Sequence, residues 1–186
     1  NILDVGQGQA IYLQMPKHNM LIDTGGNYDE SKFSVGQQII IPYLMQQGVK
    51  HLDSVLLTHL DQDHSGAFSR VAEEIKIDQV VSNQKDQRFD GFPFEYCHAG
   101  QVWQYGQVKI EVLSPQSADL NQVANNQNEL SCVLYIQALQ VGKGYKSFLL
   151  MGDAGWEAEY QILQRYPHLN VDVLVLGHHG SQYSSS

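Results

Sequence analysis

The sequence predicts a layered α/β domain. Two observations carry that expectation. Short apolar runs of strand length alternate along the chain with segments of helix length. Several of those runs end directly on polar, glycine-flanked motifs. Composition agrees: the 186 residues are 42% hydrophobic and 17% charged, enough for one sizeable core and unlike a disordered chain.

The elements follow in order. Asn1-Ile2-Leu3 reads as part of a strand. Ala10 to Leu13 and Met20 to Ile22 read as paired strands around a Pro16-Lys17-His18-Asn19 turn. Val35 to Met45 suits a buried turn and then a helix, with Pro42 near its start and Gly48 at its end. Asp53 to Thr58 is a compact apolar run that predicts a buried strand, and Gly66 to Glu74 a helix. Ile77 to Ser82 is a further strand. Gln101 to Leu113 predicts a hairpin turning at Tyr105-Gly106. Ser131 to Gln140 and Lys146 to Met151 are strands around Gly142-Lys143-Gly144. Trp156 to Tyr166 predicts a helix and Val171 to Leu176 a buried strand. No internal repeat breaks this series, so residues 1–186 are expected to form a single domain.

Charge and composition narrow the function. The formal net charge is -9, whereas proteins that bind nucleic acid by neutralising phosphates alone are usually basic. An acidic chain can still act on phosphodiesters when bound metals supply local positive charge. No run of about 18 apolar residues spans a membrane, and no signal peptide is visible. The abrupt start and end read as a fragment of a longer protein, with any targeting or membrane segment outside it. The two cysteines, Cys97 and Cys132, fit no zinc-knuckle spacing. They are expected to be half-buried small hydrophobes, with pairing in an oxidising compartment as the alternative.

The chemistry concentrates at strand ends. Thr58-His59-Leu60-Asp61-Gln62-Asp63-His64-Ser65-Gly66 places four potential metal ligands within six residues, after a buried strand and before a helix. Alternation along such a loop lets His59 and Asp61 point one way, with Asp63 and His64 turned towards a second position. Two closely spaced divalent ions need that supply of imidazole and carboxylate. A helix-capping turn would need one Asp, not two His and two Asp. Leu174-Val175-Leu176-Gly177-His178-His179-Gly180-Ser181 again runs a strand into histidines. Leu150-Met151-Gly152-Asp153 and Leu21-Ile22-Asp23-Thr24-Gly25-Gly26 each deliver a carboxylate at a strand end. Asp4-Val5-Gly6-Gln7-Gly8 is a glycine-rich turn that allows close backbone approach to a ligand. No Gly-Lys-Ser/Thr follows it, so it is not a nucleotide-binding loop and no soluble nucleotide cofactor is expected. His18, His51, His98 and His168 lie in turn-like or polar contexts and are expected at the surface. Lys17, Lys85 and Arg88 are expected to be ordinary solvated charges.

Taken together, Asp23, His59-x-Asp61-x-Asp63-His64, Asp153 and His178 resemble the metallo-β-lactamase superfamily pattern over essentially the whole chain. Asp4-Val5-Gly6-Gln7-Gly8-Gln9-Ala10, Pro42-Tyr43-Leu44, Thr58-His59 and His178-His179-Gly180-Ser181 look more specifically like the C-terminal domain of the ComEC family of bacterial competence DNA-uptake channels. The resemblance implies a four-layer αββα sandwich of two mixed sheets flanked by helices. It implies one or two divalent ions, with His59 and Asp61 on the first, Asp63, His64 and His178 on the second, and Asp153 bridging. Asp23, with Asn128, Ser131 and Ser181, would orient those ligands by hydrogen bonds.

Two positions depart from the broader superfamily. Its second loop histidine is Asp61 here. Its middle histidine has no counterpart, because that region reads Asn128-Glu129-Leu130-Ser131 and His98 is the only His between His64 and Asp153. The first position therefore exchanges imidazoles for a carboxylate. Oxygen-rich sites suit manganese or magnesium and nitrogen ligands favour zinc, so manganese is expected to bind more readily here than in the usual zinc enzymes.

The chemistry so implied is hydrolysis, with Asp63 orienting the attacking water and His179 protonating the leaving oxygen. Three readings stay open at this point. The first is a DNase or phosphodiesterase that degrades one DNA strand while the other is imported, lying outside the cytoplasmic membrane and tethered to the transmembrane channel portion of the same protein. The second is a hydrolase of another ester or amide. The third is a non-catalytic module that binds DNA or a channel partner.

Overall fold

In the computed structural model, the structure describes residues 1–26, 34–121, 127–139 and 146–180. The chain divides into two compact units, Asn1–Tyr96 and Cys97–Ser186.

The first unit is a mixed sheet with helices. Strands β1 (Ile11–Met15) and β2 (His18–Ile22) form an antiparallel hairpin. The turn is tighter than expected. Only Pro16 and Lys17 lie in it, with Lys17 at φ 58, and His18 and Asn19 belong to β2. β3 (His51–Leu52) and β4 (Ser54–Leu57) follow. The run expected at Ile77 to Ser82 is split into β5 (Lys76–Ile77) and β6 (Val80–Ser82), and β7 (Phe94–Tyr96) completes the unit. The main sheet has the order β1-β2-β4-β6-β7, parallel from β2 onward, and β3 pairs with β5 in a small parallel sheet. Every residue of β4 is buried, which is why Val55–Leu57 is a consecutive apolar run rather than an alternation.

Helical structure begins as a wide turn at Gly36–Ile40 and continues as α1 (Ile41–Gln46), with Pro42 in its first turn, where no backbone donor is lost. The loop after β4 closes into the short α2 (Gln62–Ser65), followed by α3 (Phe68–Glu74). Leu44, Phe68 and Val71 from these helices pack with Tyr12, Leu21, Val55, Leu57 and Val80 in one core. Phe68 meets Phe89 edge-on at 5.1 Å, and Phe89 stacks on Phe94 at 5.7 Å, closing that core with aromatic contacts.

The second unit is a sheet with the order β12-β11-β10-β9-β8, made of β8 (Val102–Tyr105), β9 (Val108–Ser114), β10 (Val133–Ala138), β11 (Ser147–Leu150) and β12 (Val173–Val175). All neighbours are antiparallel except β11 and β12. The β8–β9 hairpin turns where Tyr105-Gly106 predicts. The amphipathic α4 (Trp156–Arg165) buries Ala158 and Ile162 against Leu113, Val133, Tyr135, Leu149 and Met151. Asp172 ties β11 to β12 by accepting hydrogen bonds from the backbone N–H groups of Lys146 and Ser147 and from the Ser147 hydroxyl. Those donors favour the charged form and hold its carboxyl below the usual carboxylate value.

Two expectations are corrected here. The strand expected to be buried at Val171 to Leu176 is an edge strand among the described residues, with Leu174 49% and Leu176 46% exposed. Apolarity alone does not separate a central strand from an apolar edge. Cys97 and Cys132 are not half-buried thiols but a disulfide, and both are fully buried. They are 35 residues apart, so pairing depends on long-range placement that local sequence does not carry.

Candidate metal centre

In the first unit, the parallel pairing of β2 with β4 sets Ile22 opposite Leu56, so that the segments leaving both strands emerge side by side. Asp23 follows β2 and takes a left-handed backbone conformation, φ 56, an uncommon geometry for a residue with a side chain. Its carboxylate is fully buried and receives four donors. The Thr58 backbone N–H donates to Oδ1 at 2.7 Å. Oδ2 takes the Thr58 hydroxyl at 2.8 Å, the Gln9 amide at 2.8 Å and His64 Nδ1 at 2.7 Å. Four converging donors leave no oxygen lone pair pointing into an apolar surround, the condition for burying a charge.

Thr58 relays this order. Its hydroxyl, having donated to Asp23, accepts from His59 Nδ1 at 3.2 Å and lies 3.4 Å from His64 Nδ1. The network assigns the ring proton of both histidines to Nδ1, leaving each Nε2 with its lone pair. The two rings are buried, with centroids 4.2 Å apart. Both Nε2 atoms are buried as well.

The carboxylates form the rim. Asp61 is 55% exposed and Asp63 16%. Asp61 Oδ2 stands 3.7 Å from His59 Nε2, and Asp63 Oδ2 stands 3.9 Å from His64 Nε2. Both separations exceed hydrogen-bond length. They lie near the ~3.4 Å that two ligands span across a tetrahedral ion with bonds of about 2.1 Å. Oriented imidazoles over a carboxylate rim therefore fit a divalent cation, and the mixed nitrogen and oxygen set suits zinc or manganese.

The loop is held by backbone contacts from the glycine-rich turn at the start of the chain. The Gln9 N–H donates to the Asp63 carbonyl at 3.1 Å, and the Thr24 N–H and hydroxyl donate to the His64 carbonyl at 2.6 and 3.1 Å. Gly8, at φ +130, lies so close that an added Cβ would run into the Asp63 carbonyl. The glycine of this turn makes room for the backbone of the His59–His64 loop. The expected alternation of side chains along residues 59–64 is replaced. The chain turns helical at Gln62, which brings the His59 and His64 rings together rather than apart.

In the second unit, Asp153 lies buried on the turn after β11, and its backbone N–H donates to Ser131 Oγ at 3.2 Å. Asn128 enters through its backbone, which accepts the Ser131 N–H at 2.9 Å. Glu129 accepts the Ala158 N–H at 3.1 Å and so caps α4. The turn at Gly177–Gly180, which carries His178 and His179, packs its first residue against the Asp153 turn. A Cβ on Gly177 would sit 2.5 Å from the Ala154 carbonyl. The side chains of His178 and His179, and all of Ser181, lie outside the described residues.

Of the other histidines, His168 is exposed. His51 pairs with Asp78 at 2.6 Å. His18 is half-buried against the Ser54 hydroxyl at 3.0 Å, and burial pushes its pKa down. The expectation of free surface residues holds poorly for His18 and fails for Arg88. Arg88 donates to the Ser65 carbonyl at 2.9 Å and to the Ser65 hydroxyl at 3.2 Å, and Ser65 Oγ donates to the Leu60 carbonyl at 2.8 Å. Gln9, Thr58, Ser65 and Arg88 are thus the site residues that sequence reading passed over. Thr58, Ser65 and Gln9 stand inside recognised motifs, whereas nothing local marks Arg88.

Comparison with known proteins agrees with this architecture. The family described as Metallo-beta-lactamase superfamily matches residues 3–184. The chain belongs to the metallo-β-lactamase superfamily, and that membership implies divalent metal ions. It is 32% identical over 208 residues to ComE operon protein 3 of Bacillus subtilis (strain 168), covering all of this chain and 26% of that protein. It is 33% identical over 186 residues to Competence protein ComA of Neisseria gonorrhoeae, again over the whole chain and 24% of the relative. The chain thus spans about a quarter of the length of these curated relatives. Among solved structures, a metallo-β-lactamase with a HARLDQ motif from Cronobacter sakazakii aligns with a TM-score of 0.60 at 15% identity, over 92% of this chain and 72% of that one. The α/β class, with mixed sheets and flanking helices, is the one the sequence predicts.

Proposed function

We propose that the chain is a metal-dependent phosphodiesterase, a DNase domain that degrades the non-transported strand during competence DNA uptake. The observation that carries the reading is the buried His59–His64 pair, oriented through Thr58 and Asp23 with carboxylates at its rim. Both rings are held by hydrogen bonds at Nδ1, the way metal-ligating imidazoles are oriented by a partner on the other ring nitrogen. In this reading His59 and Asp61 would hold one ion and His64 and Asp63 a second. By the family resemblance, Asp153 and His178 would be further ligands. A divalent ion held there supplies Lewis acidity and local positive charge in an otherwise acidic chain. Asp63, 16% exposed at the rim, would orient the attacking water. His179 donates a proton to the leaving oxygen.

DNA as substrate rests on the likeness to proteins named for competence, one of them 33% identical. Placement on the outer side of the cytoplasmic membrane, tethered to the channel part of a longer protein, is supported by the Cys97–Cys132 disulfide, because such bonds persist in oxidising compartments. No helix of the described residues is long and apolar enough to cross a membrane.

The test is cleavage of linear single- and double-stranded DNA with manganese, magnesium or zinc added separately. The parent is expected to cleave in a metal-dependent way, and Asp63→Ala to lose about 100-fold or more of that rate. Cleavage unchanged in Asp63→Ala would remove the assigned role. Measurable metal binding without cleavage of either DNA would move the reading to another ester or amide substrate.

A further inference from the structure

We propose that Arg88 is a positioning residue for the metal loop, setting the geometry of Asp61, Asp63 and His64 without touching an ion. The inference rests on the metal reading above. Its structural basis is a chain of contacts that begins well away from the loop. Asp86 opens the short turn Gln87–Phe89 by accepting the Arg88 backbone N–H at 2.8 Å. The same oxygen accepts Arg88 Nε at 2.8 Å. Burial pushes the Asp86 carboxyl up, but these hydrogen bonds and the guanidinium charge outweigh it and hold the group below its usual value. Phe89, almost fully buried against Phe68 and Phe94, anchors the turn in the core. The guanidinium is therefore fixed at its base before it reaches the loop.

Its far edge then grips Ser65. Nη1 donates to the Ser65 carbonyl at 2.9 Å and to the hydroxyl at 3.2 Å, and Nη2 donates to the same hydroxyl at 3.2 Å. With its lone pairs engaged by Arg88, the hydroxyl has its proton free for the Leu60 carbonyl, and it donates there at 2.8 Å. The segment Leu60–Ser65 is thus closed into a ring whose two ends are tied through one oxygen. Inside that ring the His64 and Ser65 backbone N–H groups both bond to the Asp61 carbonyl, at 3.0 and 2.9 Å. Asp61, Asp63 and His64 all lie within the closed segment. A single fork of donors 23 residues away therefore constrains three proposed ligands at once. A lysine could supply the charge but only one point of contact, so the planar fork is the property that matters.

The experiment uses the 186-residue chain with cobalt(II) alone as the probe, read by its visible absorption band and by titration calorimetry. The parent is compared with Arg88→Met, Arg88→Lys and Ser65→Ala. Arg88→Met is expected to bind cobalt at least tenfold more weakly and with a shifted band, as partners of metal ligands do when removed. Arg88→Lys should recover part of the affinity. Ser65→Ala should weaken binding in the same direction, and the double variant should add little to either single change. Should Arg88→Met fail to fold, the Lys and Ser65→Ala variants decide the matter.

A folded Arg88→Met protein with the parent's affinity and band would overturn the clamp while leaving the metal reading intact. So would an affinity that falls only in proportion to lost melting temperature, with an unshifted band, since that marks a purely structural role. A parent chain with no cobalt response in either measurement would overturn the metal reading and the clamp with it.

Discussion

Asp23→Ala is expected to destabilise the chain by about 3–5 kcal/mol, because a buried carboxylate that accepts four hydrogen bonds is removed. Four donors converge on that carboxylate, and all of them lose their acceptor together: the Thr58 N–H and hydroxyl, the Gln9 amide and His64 Nδ1. Each unmet buried donor costs about 1–3 kcal/mol, and relaxation of the surround recovers part of the sum. Asp23→Asn should cost less, because its carbonyl still accepts while its NH2 now faces donors. Urea unfolding of the three proteins gives the comparison. A loss below about 1 kcal/mol for Asp23→Ala would show that the network is not formed in solution. The same substitution frees both imidazole rings, so metal-dependent stabilisation of the protein should shrink even at temperatures where the fold survives.

Removing the disulfide is the second large effect. Cys97 and Cys132 lie 35 residues apart, so by loop-closure entropy the link is worth about 3–4 kcal/mol, for a loop between the short and long cases that account describes. At this chain length that corresponds to a fall in melting temperature of roughly 6–16 °C for Cys97→Ser or for the reduced parent. Thermal unfolding with and without reductant measures it. Equal melting of oxidised and reduced parent, or two titratable thiols in protein purified without reductant, would show that the bond does not form. The disulfide joins the segment before β8 to residue 132, next to Ser131, whose hydroxyl receives the Asp153 amide. Its loss should therefore loosen the Asp153 turn as well as lower stability.

The elements that local pattern determines were legible in the sequence. Val55–Leu57 of β4 are consecutive apolar residues because the strand is buried throughout, and α4 carries an apolar stripe because one face packs on a sheet. The β8–β9 hairpin announces itself through Tyr105-Gly106. What escaped depends on distance along the chain or on competing local chemistry. His18 and Asn19 look like turn residues, yet a two-residue turn at Pro16-Lys17 leaves them in β2, where Asn19 takes the Tyr12 hydroxyl at 3.0 Å. Gln62 to Ser65 contains no apolar periodicity, so its helical turn was hidden, and with it the approach of the His59 and His64 rings. Asp23, His59 and His64 stand on motifs visible in one dimension. Gln9 and Arg88 reach the same loop from 54 positions before Asp63 and from 23 positions after Ser65, through contacts that only the fold creates.

The exposed character of β12 has a practical consequence for handling this chain. Leu174 on β12 and Leu176 just after it are half-exposed at the edge of their sheet among the described residues. Beside them, Leu163, Ile162 and Leu169 line a cavity of about 180 Å³. Exposed apolar edges recruit further strands, and no lysine or proline within Val173–Val175 blunts this one. The purified chain should therefore self-associate as its concentration rises, with light scattering increasing and Leu174→Lys suppressing the effect, so assays are best run dilute or with that substitution in place.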